Sequence, residues 1–436
     1  MLLDLRILTV DTFRVWWRLL PQLIGIYLMG WLGSELALRA AVWAGDLSAW
    51  LALALFAFSF VSVLVAVVVI LRLLGRELGI RELLPADQRA TDDRDTSVSR
   101  LLAVTLLPFL GMYAAFGQVD EAAGRLFTQQ VVRYGIVSDQ IIFSVLSNAV
   151  TEHLPRMLAL IVGLYLLRRA LDHLRERTGL RALGLLVVVI EAFFLLVVVF
   201  GGIKVFQEAA LWIRDRALLQ WLDALRDTLL SPLAWLSVDL PELLDRLGRF
   251  VIDSVCPALA DVVLQPLLWL AVAALVYGSR VLSLAELWQR GQPYAARLPG
   301  VARLSRRPLP RVRPAPHGIR LAAGQIQQAF FGDLSDKYLP ALHSLRLVLR
   351  AGVLFLGSFV FAYSVLRMAD NLFTTAVHRL VGGQLVDFWV IWEPLVDLVQ
   401  TVPFEPLRLC LLAVAFRRCL EIFALRTPRP AELVAV

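Results

Sequence analysis

Lysine is almost missing from this chain: of 43 basic residues only Lys204 and Lys337 are lysine, and the other 41 are arginine. No Gly-x-x-x-x-Gly-Lys run occurs either, so a phosphate-cradling nucleotide site is excluded. Cysteine is equally scarce. Cys256, Cys410 and Cys419 form neither a disulfide framework nor a zinc spacing. The five histidines, His153, His173, His317, His343 and His378, are dispersed, with no paired spacing for a metal or haem. No Gly-x-Ser-x-Gly, His-Glu-x-x-His or dinucleotide glycine fingerprint appears. No catalytic, cofactor-binding or metal-ligating residues are therefore assigned, no cofactor is expected, and enzymatic activity is not the expected role.

Charge is short as well. Only 18% of the 436 residues are charged while 59% are hydrophobic, and mean hydropathy is +0.71. A soluble domain of this size needs a polar shell that such a composition cannot supply, and a disordered chain would be far more polar. The expected class is an all-α polytopic membrane protein whose partner is the lipid bilayer. The net charge of +7 is spread between apolar stretches, not gathered on a soluble basic face, so nucleic acid is not expected as a partner.

Eight apolar stretches approach the roughly 20 residues that cross a bilayer as a helix. They run 19–38, 50–71, 101–117, 155–167, 182–203, 262–282, 348–366 and 404–416. The fourth and eighth are short and need turns borrowed from their flanks. The first reads as a transmembrane helix and not as a cleaved leader. Taking alternate connections from the N-terminus as one set, 30 of the 43 basic residues fall on one side and 13 on the other. The positive-inside rule then places both termini in the cytoplasm of a plasma, or inner, membrane of bacterial type.

Taken in pairs, the eight spans read as four quasi-repeated hairpins. They divide the chain into 1–99 (repeat 1 and a cytoplasmic loop), 100–180 (repeat 2), 181–283 (repeat 3), 284–345 (an Arg/Pro-rich cytoplasmic loop and an interfacial helix) and 346–436 (repeat 4 and a short tail). Each first helix is expected to end near an acid, at Glu35, Glu121, Glu208 or Asp370. Three second helices are expected to begin at a proline, Pro155, Pro266 or Pro406, where the first helical turn tolerates a missing N–H. All four second helices finish on Arg-x-Leu, at Arg72, Arg169, Arg280 and Arg418. The connections after the acids in repeats 2 to 4 read as amphipathic helices forming an outer cap.

Three features remain as candidate sites. Glu191 lies mid-way through the fifth span, where a carboxylate costs about 2.5–3.5 kcal/mol on insertion scales, so it is a candidate coupling or structural site. Arg303, Arg306, Arg307, Arg311 and Arg313 stand among prolines in the 284–345 loop and suit anionic lipid headgroups or an acidic partner. The run Asp92-Asp93-Arg94-Asp95 resembles half of a magnesium-diphosphate cluster, but no second cluster faces it and a solvated loop explains it. Arg39 and Arg408 read as boundary residues that snorkel or pair. The expected function is transport or conduction of a solute, lipid or ion through a pseudosymmetric helical bundle. The alternative is a non-catalytic scaffold or accessory subunit of a cell-envelope complex, docking other envelope proteins.

Overall fold

The computed structural model describes residues 2–83, 98–135, 186–197, 250–278 and 352–426, with a few isolated helical positions besides. Every regular element among the described residues is helical. In chain order they are α1 (Leu2–Ala44), α2 (Ala49–Glu77), α3 (Val98–Ala115), α4 (Gln118–Tyr134), α5 (Leu186–Val197), α6 (Gln265–Gly278), α7 (Val353–Val381) and α8 (Val386–Arg426). A short 3₁₀ turn, Ile80–Leu83, follows α2, and two π-helical turns, Val251–Val255 and Ala260–Leu264, lead into α6.

Four stretches are long and apolar enough to cross a membrane: Ala49–Glu77, Ala260–Tyr277, Val353–Val381 and Ile391–Ile422. The chain is thus an all-α protein with at least these candidate spans among its described residues. Three other expected spans coincide with α1, α3 and the shorter apolar α5, and the fourth, 155–167, lies almost wholly outside the described residues. So do Glu208, the acidic run, the five arginines from Arg303 to Arg313, and Pro155.

α1 and α2 form a hairpin about the four-residue turn 45–48, and its interface is built from small residues. Ser62 donates its hydroxyl to the Gly30 carbonyl at 3.1 Å, and a methyl group added at Gly30 would lie 2.4 Å from the Ala66 side chain. Small residues let two backbones approach closely, the usual glue between helices in lipid. α8 runs antiparallel to α1. Arg418 approaches Asp4 at 3.7 Å at one end, so the N-terminal residues of α1 and the last turns of α8 share one end of the bundle. The turns 45–48 and 382–385 share the other, here called the turn end.

Helix limits differ from the expected ones in three ways. Glu35 and Asp370 do not end their helices: α1 runs on to Ala44 and α7 to Val381. Pro406 does not begin a helix but sits deep inside the 41-residue α8, with Pro394 and Pro403. A proline removes one hydrogen bond locally, and packing on α1, α2, α6 and α7 holds the helix together across the gaps. The connection in repeat 4 is therefore no separate amphipathic helix. It is the continuation of α7 and α8 past their apolar parts, closed at 382–385, where Gly382 takes φ +73°. Repeat 2 comes closer to expectation: its acids open an amphipathic helix, α4, set off from α3 by Gly117 at φ +74°. Pro266 does stand in the first turn of α6, although π-helical turns precede it.

Candidate functional site

One cluster of charged side chains lies where α6, α7 and α8 meet. On α8, Glu405 and Arg408 are three residues apart and therefore share a face, where they form an ion pair. Neither is well solvated: the side chains are 27% and 15% exposed. The Arg408 guanidinium also rests over the Trp269 ring of α6, 4.3 Å from its centroid. Its Nε has no hydrogen-bond partner. α7 contributes Tyr363, Arg367, Asp370 and Asn371, which repeat at helical spacing along one face. Arg367 crosses to α6, donating to Gln265 Oε1 at 2.6 Å and to the Asp261 carbonyl at 3.3 Å.

These groups enclose a cavity of about 170 Å³ lined by Gln118, Gln265, Tyr363, Leu366, Arg367, Asp370, Asn371, Phe404, Glu405 and Arg408. The backbone around it is irregular on three sides. The π-helical turn Ala260–Leu264 immediately precedes Gln265, Pro403 and Pro406 bracket Glu405, and Gly117 in the left-handed region precedes Gln118. π-helical turns recur at functional sites, and a proline inside a helix leaves a carbonyl one turn earlier without its helical partner.

The depth of the cluster can be read along aromatic contacts. Trp269 meets Tyr113 and Phe109 of α3 edge-on, each at 6.1 Å between centroids, and Tyr113 meets Phe60 of α2 at 6.2 Å. Phe60 stands eleven residues into the 29-residue apolar α2. Arg408, which rests on Trp269, itself stands near the middle of the candidate span Ile391–Ile422 and not at its end. Charges at such depth are costly unless paired, and in membrane proteins they commonly mark a pathway or a site.

α4 straps the turn end of this arrangement. Its first residue, Gln118, lines the cavity. One side of the helix is tied to α8 by Arg125, which bonds Asp397 at 2.9 Å and Glu121 of its own helix at 2.8 Å. Burial works against the Arg125 charge, but the hydrogen bond and charge of Asp397, with Glu121, outweigh it and hold its pKa above the ordinary arginine value. At the other end Tyr134 donates to the Val42 carbonyl at 2.6 Å, and Arg133 pairs with Asp46 at 2.7 Å while stacking over Trp43. Burial, then the neighbouring Asp46 carboxylate, push the Tyr134 phenol above its usual pKa against the opposing charge of Arg133.

Of the residues singled out from sequence, Glu191 is buried, 2% exposed, on α5, and is not among the residues lining the cavity. Glu35 pairs with Arg39 one turn on, at 2.8 Å, and Glu121 pairs with Arg125. Asp370 alone of the described repeat acids lines the cavity. Arg408 does pair, as expected of it, yet lies in the interior and not at a boundary. Glu405, Arg367 and Gln265 were not singled out as site residues. The available signal was an acid and an arginine three apart in an apolar span, together with an arginine and an acid three apart just past the end of the preceding one. No group of three or more potential metal ligands occurs among the described residues. No known protein family, curated protein or solved structure matches this chain.

Proposed function

We propose that this chain is a transport protein of the plasma membrane, moving a small polar solute or ion through its helical bundle, with the cavity between α6, α7 and α8 as the binding station. The observation that carries the reading is the part-buried Glu405–Arg408 pair opening on a polar cavity midway along a membrane-length helix, where two charges without a task would be a net liability. α4 is suited to act as the gate at the turn end, since a glycine at positive φ stands at each of its ends, Gly117 and Gly135. We further propose eight spans in four quasi-repeated hairpins with both termini in the cytoplasm. The 30 to 13 partition of basic residues and the meeting of Asp4 with Arg418 support that topology. The arginines from Arg303 to Arg313 would then meet anionic headgroups of the inner leaflet, and Glu191 is a packing carboxyl or a second station.

Solute-induced currents or fluxes in proteoliposomes test this. The parent should pass at least one class of small polar solute. Arg408→Gln and Glu405→Gln should lose that flux while remaining monodisperse in detergent. Unaltered flux in both variants overturns the cavity as the pathway. Absence of flux for every class tested, with stable co-purification of a second envelope protein, favours the scaffold reading instead.

A further inference from the structure

Resting on that transport reading, we infer that the cavity between α6, α7 and α8 takes a small zwitterion, a solute carrying one cationic and one carboxylate group of amino-acid or betaine type. The lining holds two arginines, Arg367 and Arg408, and two carboxylates, Asp370 and Glu405, so its formal charge sums to zero. These four are not equivalent. Glu405 and Arg408 neutralise each other directly. Arg367 and Asp370 stand three apart on α7, a spacing at which they could pair, but Arg367 is turned away toward Gln265 and the Asp261 carbonyl, and Asp370 has no cation within ion-pairing distance among the described residues. The cavity therefore presents one separated positive pole and one separated negative pole.

Arg367 is exposed and Asp370 half-exposed, so each offers its charge to a solute that enters the cavity. A simple cation satisfies Asp370 and leaves Arg367, and a simple anion does the reverse. A zwitterion satisfies both, its carboxylate on Arg367 and its ammonium group on Asp370. Tyr363 and Phe404 supply aromatic surface for an alkylated ammonium. Size points the same way. A volume of about 170 Å³ corresponds to on the order of five water molecules at about 30 Å³ each. That is room enough for one compact solute.

The test is thermal unfolding of the full-length chain in lipid nanodiscs, with glycine and glycine betaine as zwitterions, choline as the cation alone and acetate as the anion alone. A ligand that binds only the folded state raises Tm saturably with concentration. At least one zwitterion should do so at millimolar concentration, and choline and acetate should not. Asp370→Asn should lose the zwitterion response and gain one to acetate, because the lining becomes net positive. Arg367→Gln should lose it and gain one to choline, and this variant carries the test if the first fails to assemble. Equal responses to all four compounds, no response to either zwitterion, or an unchanged zwitterion response in the charge variants each overturn the inference. Its failure is distinct from failure of the transport reading. If Arg408-dependent flux of some other solute persists, the pathway stands and the zwitterion falls; if zwitterions bind without flux, the site stands and transport falls.

Discussion

The two hairpins α1–α2 and α7–α8 are built to similar lengths and closed by four-residue turns, yet their interfaces are opposites. α1 and α2 meet through Gly30, Gly33, Ser62 and Ala66, close enough that no side chain fits at Gly30. α7 and α8 are held apart over the same depth by Tyr363, Arg367, Asp370, Phe404, Glu405 and Arg408, with a cavity between them. In α2 61% of the apolar window is buried, in α7 only 33%. The same topology thus yields a close-packed element and a charged one that lines a cavity. The first is held by close approach of small residues, and the second by charged and aromatic side chains.

Breaking the charged hairpin should have the largest effect. Arg408→Leu leaves the part-buried Glu405 without its partner and should cost about 1–3 kcal/mol, read as a fall in Tm of the purified protein. The double variant Arg408→Leu with Glu405→Gln should recover most of that loss while remaining without flux, which separates stability from function. The close-packed hairpin should respond to volume and not to charge. Gly30→Val pushes into Ala66 and should cost about 1–3 kcal/mol by overpacking, and Gly30→Ala should be relieved by Ala66→Gly if the close approach is the cause.

The strap across both hairpins should give smaller effects. Arg125→Met deprives Asp397 of its partner on α4, with an expected loss of about 1–3 kcal/mol and faster hydrogen exchange confined to α4. Smallest is Tyr134→Phe, at about 1 kcal/mol for one hydrogen bond. Its pH dependence has a definite sign. The folded-state pKa is raised, so the contribution is complete below the ordinary tyrosine value of about 10 and is lost as pH rises through the folded value, when the proton given to the Val42 carbonyl leaves. Tyr134→Phe should remove that alkaline loss.

Fold class was legible because hydropathy responds to lipid whatever the partners of a helix: α2, α6, α7 and α8 fall where the apolar runs lie. The amphipathic α4 was legible in the pattern around Glu121. Helix ends were not. Glu35 and Asp370 suggested ends because an acid is costly in lipid, but Glu35 is offset by Arg39 on the same helix and Asp370 by a polar cavity, neither of which hydropathy contains. Pro406 suggested a start because a lone helix would break there, whereas α8 is held across it by its neighbours. The site escaped for the same reason. Its charges come from α7 and α8 and its amide from α6, at sequence separations of about a hundred residues between Gln265 and Arg367, and only packing brings them to one depth. Glu191, isolated in its span, was conspicuous in sequence, while Glu405, shielded in sequence by Arg408, was not.

The measurement closest to the central claim, that the charged hairpin holds a water-reached path inside the membrane, is thiol accessibility in intact membranes. Single cysteines would replace Asp370, which lines the cavity, and Val365, five residues earlier on the same helix and 52% exposed on its outer face, in a chain whose Cys256, Cys410 and Cys419 are alanine. A membrane-impermeant thiosulfonate should modify the cysteine at 370 and spare that at 365, since only a water-filled site offers both the reagent and a thiolate. Modification of both, or of 365 alone, would place this face of α7 outside the bilayer, and no modification at 370 would leave the cavity sealed and the transport pathway without a route.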